Sequence, residues 1–88
     1  METSLKQKMK TLNDFFSVFD EDKFNYISVS ANCETRISGS YSKSLIKELE
    51  KKDYIFYKKE YENTDSNVVQ YLSEKDGMII TFYEFTKK

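Results

Sequence analysis

A chain of 88 residues has room for one modest core, and 39% hydrophobic with 16% aromatic content fills it, which excludes a disordered segment despite 33% charged residues. Fourteen basic side chains nearly cancel fifteen acidic ones, a net charge of -1, so no global field draws in nucleic acid or an anionic membrane. The lone cysteine, Cys33, forbids an intrachain disulfide, and a polar N-terminus bearing Lys6, Lys8 and Lys10 lacks a signal-like apolar run; the expectation is a cytoplasmic chain with no membrane association.

Leu5, Met9, Leu12, Phe16 and Phe19 alternate steps of four and three, which predicts an amphipathic helix over residues 4–19. Ser4 with Gln7 reads as its capping box, and Asp20, Glu21 and Asp22 mark its end, because negative charge is unfavourable at a helix C-terminus. Tyr26 to Ala31 alternates, with Ile27, Val29 and Ala31 on one face. Thr35 to Tyr41 does likewise, and the short span between them suits a hairpin. Ser42 or Ser44 then caps a second helix over residues 43–52, with Leu45, Ile46 and Leu49 buried. Tyr54 to Tyr61 is a third strand with aromatic residues on both faces, followed by a polar loop from Glu62 to Asn67. Val68 to Leu72 and Met78 to Phe85 form a second hairpin, turned by Glu74-Lys75-Asp76-Gly77. The order α-β-β-α-β-β-β predicts a single α+β domain over residues 1–88, an antiparallel sheet with both helices packed on one face.

The chemistry is defined by what is missing. Without histidine the chain lacks the commonest general acid-base group and imidazole ligand, and one cysteine excludes paired-cysteine zinc sites. Gly39 and Gly77 are the only glycines, so neither glycine-rich phosphate cradle occurs. Cys33 has no histidine to activate it and reads as a small buried or half-buried residue. The carboxylates at 20–22 lack the spacing of a calcium loop and read as turn residues. No catalytic residue, metal or cofactor is expected, and the chain is not expected to be an enzyme.

Seven tyrosines are more than so small a core buries with every hydroxyl satisfied, and tyrosine is enriched at interfaces. With Ile27, Val29 and Ile37 under the helices, Phe24 and Tyr26 face outward, as does either the pair Tyr57 and Tyr61 or the pair Tyr54 and Phe56. A partner-binding surface is therefore expected around Tyr26, Arg36, Tyr57, Lys58, Lys59 and Tyr61. The absence of proline, tryptophan and histidine, with abundant Lys, Tyr, Phe, Ser, Glu and Asn, resembles products of AT-rich bacterial or phage genomes. Such a chain is expected to be a phage or mobile-element inhibitor of the anti-CRISPR or anti-restriction type, occluding a larger host protein such as a nuclease or nucleoprotein complex. Two alternatives stay open: a single-stranded nucleic-acid or RNA binder using an aromatic sheet face, and a small homodimeric regulator. One arginine, the net charge and the lack of an RNA-recognition motif weigh against direct nucleic-acid binding.

Overall fold

The Ser4 hydroxyl accepts a hydrogen bond from the Gln7 amide at 3.2 Å, and helix α1 (Leu5–Val18) begins there, as its capping signature predicts. The computed structural model describes residues 4–87, so the ends of the expected 1–88 domain lie outside the described residues. Phe15 on α1 and its C-cap residue Phe19 are buried, with Leu12 and Phe16 half-buried beside them. Leu5 and Met9, expected on the same stripe, are exposed: the stripe is apolar for longer than the core against it. Asp20 then caps a one-turn 3₁₀ helix (Glu21–Lys23), its carboxylate accepting from the Asp22 amide.

Strands β1 (Tyr26–Ser28) and β2 (Thr35–Ser40) pair antiparallel with Ile27 opposite Ile37. β1 stops three residues short of the expected Ala31, and the reason is a lysine on α1. The Lys8 ammonium gathers the carbonyls of Ser30, Ala31 and Cys33 at 2.9, 3.3 and 2.7 Å. Bent to meet one point, that segment cannot extend a ladder. Cys33, expected to be at least half-buried, is exposed on it.

Ser42 caps α2 (Lys43–Glu50), which buries Leu45, Ile46 and Leu49 as the pattern requires. β3 (Tyr57–Glu62) starts three residues later than expected, because Tyr54 and Phe56 turn in to pack on the core. β4 (Ser66–Lys75) and β5 (Met78–Lys87) are longer than expected, joined by a two-residue turn. Both turn residues, Asp76 and Gly77, have positive φ, the geometry that matches strand twist in a tight hairpin.

The strand order is β1-β2-β5-β4-β3. The sheet is mixed, not antiparallel throughout: β2 and β5 run parallel, in register from Thr35 opposite Met78 to Ser40 opposite Tyr83. The connections cause this. The chain leaves β2, crosses along α2 to the far edge at β3, and returns by two reversals, so β5 arrives beside β2 pointing the same way.

The core joins α1, α2 and one sheet face around Phe82, which is fully buried, with Phe24 and Phe56 rings 5.7 and 5.9 Å away. Burying such a side chain contributes about 1.5–3 kcal/mol. Phe24, expected to face outward with Tyr26, lies before β1 and is buried here. Gly39 allows it: a Cβ on Gly39 would stand 2.8 Å from the Lys23 carbonyl oxygen and 3.4 Å from the Phe24 Cα. Among the described residues no helix is long and apolar enough to cross a membrane.

Candidate interaction face

Strand alternation sorts side chains between the two faces of the sheet. Ile37 on β2, Ile80 and Phe82 on β5, and Tyr71 on β4 share the face covered by the helices. Among the described residues the opposite face carries no helix, and pairing register lays out its rows. One row runs Tyr26, Ser38, Thr81, Leu72, Tyr57 across all five strands. To one side lies Ser28, Arg36, Ile79, Glu74. To the other lies Ser40, Tyr83, Gln70, Lys59, and beyond it Phe85, Val68, Tyr61.

On this helix-free face Tyr26, Tyr57, Tyr61 and Phe85 are 53%, 67%, 40% and 66% exposed. Val68 is buried between its rung neighbours Phe85 and Tyr61, outside the main core. Tyr83 and Phe85 stack with centroids 6.3 Å apart and planes 22° apart, which fixes two rings side by side. Its charged residues are Arg36, Lys59 and Lys87, against the single carboxylate Glu74.

Of the residues the sequence singled out, Tyr26, Arg36, Tyr57, Lys59 and Tyr61 share this face, with Arg36 set toward the opposite end from Tyr61. Lys58 does not join them. It lies opposite Tyr71 on the other face, its ammonium 3.4 Å from the Glu60 carboxylate. Of the two aromatic pairs on the third strand, Tyr57 and Tyr61 face out, while Tyr54 and Phe56 pack on the core. Tyr83 and Phe85 were missed as members of the face, although the two-residue period of Ile79, Thr81, Tyr83 and Phe85 places all four together.

A groove of about 460 Å³ opens on the helix side, floored by Phe15, Phe19 and Met78 and flanked by Lys52, Lys75 and Asp76. Its Lys75 is already engaged within the groove. The Lys75 ammonium donates to the Lys52 carbonyl at 2.6 Å and lies 4.6 Å from the centre of the Tyr54 ring. Partial burial, then the nearby Asp76 carboxylate, raises the Tyr54 phenol above its ordinary pKa, which keeps it neutral. Among the described residues no three Asp, Glu or Cys side chains converge on a metal-sized point.

No protein-family model matches the chain, and neither does any curated protein or solved structure.

Proposed function

We propose that the chain is a small non-enzymatic binding module that seats its helix-free sheet face on a larger protein and acts by occluding that surface. One observation carries the reading: Tyr57, Tyr61 and Phe85 stand exposed together, with Tyr26 at the far edge, on a face that no helix among the described residues covers. Large, semi-rigid aromatic side chains with polar tips are the usual anchors of protein interfaces, since they give contact area at low entropic cost. The same strands hold these rings on the far side of a packed core, so the anchors are presented on a scaffold that is already ordered. The compositional likeness to phage products supports a stoichiometric inhibitor of a bacterial protein, of the anti-CRISPR or anti-restriction kind.

The test is a paired variant, Tyr57→Ala with Tyr61→Ala. Affinity capture from a bacterial lysate is expected to yield a stoichiometric complex with the wild-type chain. The paired variant should lose about tenfold or more in affinity, as truncated interface anchors do, while staying folded with a melting temperature lowered only modestly by the uncovering of Val68. A complex of undiminished affinity in a folded variant would refute the reading.

A further inference from the structure

Strand alternation separates charge as well as polarity. On the helix-free face, β2, β3 and β5 place Arg36, Lys59 and Lys87, and the only carboxylate is Glu74 on β4. The glutamates of the neighbouring strands, Glu60, Glu62 and Glu84, all fall on the opposite face, where Lys58 pairs with Glu60. Around Tyr61, Tyr83 and Phe85 the helix-free face therefore holds lysines and no carboxylate, while Glu74 lies one same-face step beyond Leu72, the partner of Tyr57. Arg36, Lys59 and Lys87 are exposed and make no ion pair or side-chain hydrogen bond among the described residues. Helix α2 and the turn after it hold a second basic group, Lys43, Lys47, Lys51 and Lys52, but there Glu48 and Glu50 lie among the lysines.

We infer that the surface this face receives is an acidic protein surface, with an apolar centre for Tyr57, Tyr61 and Phe85 and carboxylates placed to meet Lys59, Lys87 and Arg36. This rests on the binding reading above and adds the partner's chemistry to it. Complementary charge steers encounter and fixes register, while the desolvated rings hold the complex. A second copy of the chain fits worse, because two such faces would bring like charges together. A single-stranded nucleic acid also fits worse. Tyr26 and Tyr57 lie at opposite edges, about 19 Å apart across four strand spacings, with Ser38, Thr81 and Leu72 between them where consecutive bases would need rings.

The experiment is an amide NMR titration of the whole chain at low salt with poly-L-glutamate, and separately with a deoxythymidine oligonucleotide. Poly-L-glutamate is expected to shift Lys59, Tyr61, Phe85 and Lys87. The shifts should vanish near 1 M salt, where screening acts within about 3 Å. Lys59→Glu with Lys87→Glu should weaken the binding about tenfold or more. The absence of these shifts, or shifts confined to Lys43, Lys47, Lys51 and Lys52, would overturn the inference. So would tighter binding of the oligonucleotide at the same residues, or dimerisation of the free chain through this face. If the charge inference fails while Tyr57→Ala with Tyr61→Ala still abolishes capture, the face stands and only the acidic partner falls. If capture survives the tyrosine variant, the binding reading itself falls.

Discussion

At the scale of single residues, two polar side chains show opposite solutions to burial. The Ser73 hydroxyl is fully buried on β4 with no hydrogen-bond partner among the described residues, a state that costs about 1–3 kcal/mol. Ser73→Ala removes the orphaned group and leaves only a small gap, so its urea midpoint should match the wild type or correspond to about 1 kcal/mol of added stability. A clear loss would mean that the hydroxyl is satisfied. Lys8 is the reverse case, a cation shared by three carbonyls of the loop between β1 and β2. Lys8→Met keeps the aliphatic stem and deletes the ammonium, at an expected cost of about 1–2 kcal/mol. Amide exchange at Cys33, whose N–H donates to the Ser30 hydroxyl, should accelerate with it. Neither role was legible in the sequence. The Ser4 cap was, because its partner stands three residues away, whereas Lys8 reaches a loop more than twenty residues on and reads by itself as a solvated lysine.

At the scale of elements, the two glycines are constrained by different things. Gly77 has φ +77° and open space where a Cβ would point, so the turn needs its backbone freedom and nothing else. Gly77→Ala should cost about 1 kcal/mol, and Gly77→Asn should recover most of it, since asparagine tolerates the left-handed region. Gly39 has no such conformation, yet a Cβ there would meet the Lys23 carbonyl at 2.8 Å, and backbone cannot swing aside like a flexible side chain. Gly39→Ala is expected to cost about 3 kcal/mol, with no rescue by asparagine; equal melting temperatures for the two alanine variants would contradict this. The tight turn was readable because Asp-Gly between two alternating runs is a local signal. The close approach at Gly39 was not, since it depends on where residues 23 and 24 cross β2. The parallel pairing of β2 with β5 escaped for the same reason. Alternation assigns a strand its two faces but never its neighbour, and here the last strand lies in the middle of the sheet.

At the scale of the whole molecule, β5 is what makes two hairpins into one sheet, and its two faces tie the core to the exposed aromatic surface. The near-neutral composition conceals the sorting of charge across that sheet, because a count of lysines and glutamates carries no direction. On the core side, two phenols with raised pKa values couple the stability of the molecule to pH, Tyr54 more than Tyr71, whose hydroxyl lies close to solvent. Partial burial raises Tyr54, with a further push from Asp76; partial burial also raises Tyr71, followed by Glu84 and by Tyr41, on which it stacks at 4.8 Å. The folded chain therefore holds these two protons more tightly than the unfolded chain, whose tyrosines ionise near pH ~10. Linkage then sets the sign: the contribution is fully present below the unfolded value and is lost as pH rises through the raised folded values. The urea midpoint should fall above about pH 10 more steeply in the wild type than in a chain carrying Tyr54→Phe and Tyr71→Phe, in which neither position can ionise. Parallel alkaline slopes in the two proteins would show that both phenols reach water on ionising and that the helix-covered side does not hold them neutral.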